Sequence, residues 1–522
     1  MQKESPMRCI YNFQPTIAAR YRSALLGVLL LASIPLLGEG IRQLAPTAGD
    51  APVMLETGRP DFGNFASPNG DANSRLHIFV GRPDEVIFLG LAPEYDDDGQ
   101  RIINNTASQY RFQIRRSTGN SNNDPIVHGP FTVGNTTANV NSWQDALFGN
   151  YPVTREENGQ LVYVFAPGQV GNYYIEFFES PSAPDRFSDP EVNIPFWDFT
   201  VVHNGQVEDG RVWSRNWAFR TPQVDGTELP ECVWDRDFNG VLYSYTDDGF
   251  VSRINFSDAG MQGLSFGVAF NSTGPGNSGD LSLDRMSIEG ENRTDNSAQH
   301  QIFLSEPDPE FFPDGECGQV IPASTFRCTG GGGFCLDVEV TKPGQVEIII
   351  DFNRNGTLDD NSQDVALIYE FIDPELRACI PWDGLRGDGT PIDFGDTIDL
   401  IINYSQGIQH WSVYDLEYLK NGFCVETIRP RCSPDLTSNL LYWDDRNIIQ
   451  DPGTGAARDQ RLGCDCSTGC RSWNTFDLGT ATSCNDFNDE ETSGYGDKST
   501  INTWWFANNS RLIRANVPLV QA

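Results

Sequence analysis

Residues 351–364 read DFNRNGTLDDNSQD, with oxygen-bearing side chains at alternate positions, then a glycine, then further carboxylates. Calcium takes roughly six to eight oxygen ligands from spacings of this kind. Counting Asp351 as the first ligand, Asn353 and Asn355 stand third and fifth, and Gly356 permits the sharp turn. Thr357 then offers its carbonyl and Asp359 another carboxylate. The twelfth position is Ser362, where a helix–loop–helix calcium site needs a bidentate glutamate, and the flanks QVEIII and VALIYEF alternate as strands do. The spacing therefore predicts a strand–loop–strand with a structural calcium ion. A solvated hairpin loop fits the same residues, because Asn-Gly favours tight turns unaided. Asp235, Asp237 and Asn239, followed by Gly240, repeat the first half of the pattern as a weaker calcium candidate, and YDDDG at 95–99 reads as a solvated turn.

Other groupings carry less chemistry. GPGNSGD (274–280) has the look of a nucleophile loop with Ser278 as the attacking group, but none of the five histidines lies in a matching context. CDCSTGC (464–470) could offer three thiolates to zinc, although an exported chain favours disulfides. With 72 acidic residues, chance carboxylate pairs are common, and sequence spacing does not give the separation that glycoside hydrolysis requires. No catalytic residue is assigned. The 11 tryptophans raise sugar binding as an option, yet Trp197, Trp217 and Trp411 sit in strand-like segments where core packing is the simpler reading. Trp504 and Trp505 are adjacent, so in a strand one indole must point away from the core.

The elements that would position these residues are strands. The chain has 522 residues, 50 Gly, 32 Pro and 5 Met, a composition suited to many short strands joined by turns. A net charge of -36 excludes nucleic acid and anionic lipid surfaces as partners. Arg20 and Arg22 precede the apolar run ALLGVLLLASIPLL (24–37), which reads as a signal peptide over 1–40, with a lone membrane anchor as the alternative. No other segment is apolar enough to span a bilayer, so no span is expected in the mature chain. Eleven of the 12 cysteines fall between Cys232 and Cys484, and export makes them disulfide candidates. The odd number leaves one thiol free or paired beyond residue 522.

We expect an all-β chain of tandem β-sandwich domains, Ig-like or jelly-roll, with a Cys-rich C-terminal region. An extended lead-in covers 41–75 and a first sandwich 76–225. A second sandwich covers 228–425, divisible into two smaller domains, and a Cys-rich region, read as truncated, covers 426–522.

Several phrases resemble one protein group. They include YTDDGFVSRINFSDAGMQGLSFGVAFNSTGPGNSGD (245–280), GFCLDVEVTKPGQVEIIIDFNRNGTLDDNSQDV (333–365), LYWDD (441–445) and INTWWF (501–506). The resemblance is to the N-terminal regions of large gliding-motility-associated, adhesin-like surface proteins of Bacteroidetes, exported by type IX secretion. It implies a secreted or cell-surface protein acting in adhesion or gliding motility, with polysaccharide or a neighbouring cell surface as partner. It supplies no catalytic residues. The family's C-terminal sorting domain and adhesin repeats are not recognisable in this chain, whose expected continuation lies beyond residue 522. A secreted carbohydrate-active enzyme or carbohydrate-binding module is the alternative, and a surface-layer component a third reading.

Overall fold

The structure, a computed structural model, describes residues 38–45, 53–57, 65, 75–93, 110–119, 124–133, 143–147, 154–179, 192–221, 238–262, 265–276, 278, 280–290, 298–321, 325–328, 333–356, 358, 363–393, 395–414, 416, 418–419, 421–432, 440–448, 462–464, 471–473, 496 and 499–519. Segments in which apolar side chains recur at every second position became strands with little change of boundary. Leu76–Val80, Tyr110–Arg116 and Val365–Phe371 are examples. The described chain is all-β apart from three helices of four or five residues.

Antiparallel pairing assembles several sheets, the largest with nine and eleven strands. The nine-stranded sheet joins strands from both sides of residue 225: Val212–Ser214 pairs with Gln301–Phe303, and Val251–Asn255 with Cys424–Arg429. Segments 76–225 and 228–425 thus share a sheet. They also share a core, which runs in sequence from Ile41 to Trp505 and contains Trp197, Trp217, Trp411 and Trp473. A second core gathers Val346, Ile348, Ile350, Leu400, Ile402 and Tyr404 under Leu336, Val338 and Ile380. Here the strands Gly344–Asp351 and Thr397–Val413 lie over the three-stranded sheet that contains Phe334–Glu339 and Arg377–Trp382.

Two long strands connect the cores. Thr397–Val413 runs antiparallel to Ser499–Pro518, with Ile401 opposite Ile513 at one end and Trp411 opposite Thr503 at the other. The sequence predicts two strands, 397–404 and 411–418, where the structure has one. Gly407 carries the chain across at φ +61°, and a Cβ there would lie 2.8 Å from that of Ala507. The core-facing side changes at this point. Ile398, Leu400 and Ile402 face the second core, whereas Trp411 and Val413 face the first.

The folded body also takes in residues just before 41. Glu39 and Gly40 pair with Phe199 and Asp198, and Glu39 is only 1% exposed. Its carboxylate accepts hydrogen bonds from the backbone N–H groups of Arg211 and Val212, at 2.8 and 3.1 Å. A processing site that leaves this body whole lies before Gly38.

Disulfides join Cys317 to Cys432 and Cys335 to Cys379. Among the described residues no helix is long and apolar enough to cross a membrane. Both facts are compatible with an extracellular protein.

Candidate binding cleft and metal loop

The 351–358 loop closes on itself through Asp351. This side chain is fully buried, and its two oxygens accept from the N–H groups of Arg354 at 2.5 Å and Gly356 at 2.8 Å. Asn353 Oδ1 accepts from the Asn355 N–H at 2.9 Å. Asp364, buried on the returning strand, accepts from the Phe352 N–H at 2.9 Å and faces the Asn353 amide at 3.4 Å. Asp351, Asn353 and Asp364 therefore converge at the loop base. Asn355 continues the turn, and the positive φ of Arg354 and Gly356 makes the bend. Thr357, Asp359, Asp235 and Asp237 lie outside the described residues. Asn239 is described, and its Oδ1 accepts from the Asp258 N–H at 3.1 Å. Among the described residues no three His, Cys, Asp or Glu side chains form a metal-holding group, so a cation in the 351–364 loop would rely on amide and carbonyl oxygens as well.

Beside this loop lies a cleft of about 540 Å³, with Leu358 on its rim. Its floor follows from strand pairing. Gln345, Ser405 and Asn509 stand in one cross-strand row, and Ile368, Glu347, Asn403 and Arg511 in the next. Their strand neighbours Val346, Ile348, Ile402 and Tyr404 face the second core, so alternation leaves the polar set outward. The Asn403 amide donates to Glu347 at 2.9 Å. Arg511 donates to the Gly356 carbonyl at 2.6 Å, tying the Asp351–Gly356 turn to the cleft.

The opposite wall is aromatic. Trp504 and Phe506 come from the last strand, and Tyr442 and Trp443 from the short strand Leu441–Trp443, which lies between the last strand and Leu462–Cys464, with Tyr442 opposite Trp504. Tyr442 stacks on Trp504 with ring centres 6.0 Å apart, and His410 stacks on Trp504 at 5.7 Å. Trp505 is fully buried in the first core, as neighbouring side chains on a strand require. Behind the wall, Arg471 forms a buried ion pair with Asp445 at 2.6 and 3.0 Å, donates to Thr503 at 2.8 Å and lies over the Trp443 ring. Asp445 also accepts from Ser287, whose Oγ in turn accepts from the Asn502 N–H.

The GPGNSGD loop has a place here too. Ser278 donates its hydroxyl to Asp284 at 2.7 Å, and its N–H reaches the same oxygen at 2.8 Å. These bonds hold the turn Leu281–Asp284, which brings Leu281 and Arg285 to the cleft. Arg285 hydrogen-bonds Gln345 and lies over Trp504 and Phe506. Burial holds His410 well below the usual histidine range, with the Arg285 charge adding to the effect and the Asn502 hydrogen bond opposing it. Burial also raises the Tyr442 phenol, and Glu347 adds to that.

Comparison with known proteins adds no relative. No family model, curated protein or solved structure matches the chain. The cleft is therefore read from its own chemistry. Nine large apolar side chains are well exposed among the described residues, and Leu358, Ile368 and Leu440 all rim this one cleft. Clustering of this kind, around an aromatic wall and a polar floor, makes this cleft the candidate ligand site. Sequence reasoning missed the floor, because Gln345, Glu347, Asn403 and Asn509 come together only through register. The adjacent indoles were its one advance signal.

The CDCSTGC reading falls mostly outside the described residues, which include only Cys464 of that stretch.

Proposed function

We propose that this chain is an exported, non-enzymatic, adhesin-like surface protein that holds polysaccharide in the cleft between its two cores. The cleft carries the reading. The half-buried rings of Tyr442 and Trp443, backed by the buried Trp504, suit the C–H faces of pyranoses, while Glu347, Asn403, Gln345 and Asn509 suit their hydroxyls. The paired disulfides suit an extracellular setting. The second core is read as a sandwich of the Ig-like or jelly-roll kind. Calcium at Asp351, Asn353 and the following loop stiffens the cleft rim, and many copies on a cell multiply weak contacts into adhesion or gliding traction.

The test is binding of the secreted protein to immobilised polysaccharides. Trp504→Ala and the rim variant Ile368→Asp should each weaken binding about tenfold or more, equivalent to ~1.4 kcal/mol. Unchanged binding in both variants refutes the reading. The same cleft also suits a carbohydrate-binding module or a hydrolase, with Glu347 and Asp444 as its carboxylates. Release of reducing ends from a bound polysaccharide, abolished by Glu347→Gln, would favour the enzyme.

A further inference from the structure

The cleft has a neighbour. A smaller cavity of about 190 Å³ shares Leu281, Arg285, Gln345, Ser405 and Phe506 with it, so the two adjoin along one wall. The smaller cavity carries its own exposed apolar side chain, Ile372, which is 63% exposed. On its inner side stands His300, 3% exposed, with neither ring nitrogen at hydrogen-bond geometry to any protein atom. The Ile408 carbonyl is near enough to favour a proton on the ring without completing a bond. Burial keeps this histidine below its ordinary range, against the opposing pull of Asp247 and Asp248. It is thus a neutral imidazole, with one donor and one acceptor to satisfy.

A buried polar group left this way is costly, and its partner must come from whatever fills the cavity. The lining narrows the choice. An apolar occupant leaves both nitrogens unmet. An anion meets three carboxylates, those of Asp247, Asp248 and Glu370, against the one guanidinium of Arg285 at the same cavity. A hydroxyl-bearing ring both donates and accepts, as the imidazole requires. We propose that the smaller cavity is a second sugar subsite, in which His300 hydrogen-bonds one pyranose of a glycan whose other units lie along Tyr442 and Trp443. This rests on reading the larger cleft as a glycan site.

The test uses the full secreted chain and a length series, dimer to hexamer, of the neutral cello-, xylo- and manno-oligosaccharides, measured by calorimetry. In the wild type, affinity should rise with length as the second subsite fills. Ile372→Trp plugs the cavity from its exposed side, and His300→Phe fills it from within. Each should remove the gain for long chains, about tenfold, while binding of the shortest ligand stays within about twofold. His300→Phe could also unfold the protein, which is why Ile372→Trp, at an exposed position, is the deciding variant. A length dependence untouched by Ile372→Trp overturns the subsite and leaves the cavity to water. Equal loss at every length overturns it too, since the two sites would then not be separable. Loss of the length series by Trp504→Ala supports the larger cleft. Failure of every oligosaccharide to bind the wild type overturns the glycan reading itself, and the subsite with it.

Discussion

Replacing Glu39 by Gln should make the protein more stable at alkaline pH and change little in acid. Burial pushes the Glu39 carboxyl up to about 8 from an ordinary 4.5, opposed by the Arg211 N–H and helped by Asp209. The folded state therefore binds a proton that the unfolded chain releases near 4.5. Wild-type stability from this group is fully present below that value and is lost as pH rises towards 8. The loss runs at about 1.4 kcal/mol per pH unit across the interval, up to about 5 kcal/mol in all. The amide oxygen of the Glu39→Gln variant remains an acceptor for the Arg211 and Val212 N–H groups. The variant's N–H₂ falls where Oε1 now has no hydrogen-bond partner, a burden the protonated acid also carries. Urea midpoints of the purified protein between about pH 5 and about pH 9 should diverge, with the variant ahead at the alkaline end. Parallel curves would refute the reasoning. The same experiment requires that secreted protein retains residue 39, so N-terminal sequencing should find a start at or before Gly38.

The remaining predictions concern the frame of the cleft. Arg471→Met strands the buried Asp445 charge and should cost about 3–5 kcal/mol, part of which Asp445→Leu in the same chain restores; denaturation midpoints check both. Calcium at about a hundredfold excess over its dissociation constant should stabilise the chain by about 2.7 kcal/mol. Asp351→Ala should abolish that gain, and equal melting in calcium and in chelator would dismiss the site. Replacing Cys317 and Cys432 by Ser opens a closure spanning 115 residues. It should cost up to about 4–5 kcal/mol by loop entropy, measured against the parent in urea.

Strands whose apolar residues alternate were legible in the sequence, because period two is a local property. Tyr110–Arg116 and Gly344–Asp351 needed no partner to be recognised. The long strand through Gly407 was not, because the change of facing side there breaks the period that identifies a strand. In the last strand only INTWWFA (501–507) reads as a strand from sequence, although the strand runs from Ser499 to Pro518. Its distal half, SRLIRAN, is half-exposed and carries no clean apolar stripe. The C-terminal region therefore looked poor in core, yet it supplies Trp505 and the cleft wall. The turn through Asp351, Asn353 and Gly356 is local and was readable. The polar floor depends on which residue of one strand stands opposite which of another, and no single stretch encodes that.

The paired strands Thr397–Val413 and Ser499–Pro518 also set how the cleft can work. They are continuous through both cores, so the walls on either side of the seam are joined by one long antiparallel ladder, paired from Leu400 to Gln406 and again from Ile408 to Val413. Swinging one wall relative to the other would break ladder bonds that no ligand contact replaces. A chain drawn across this seam meets a preformed surface. It surrenders its own conformational freedom and asks little of the protein. Under tension along the strands, the ladder would be loaded in shear, many bonds together, so the cleft and its frame would resist as one unit.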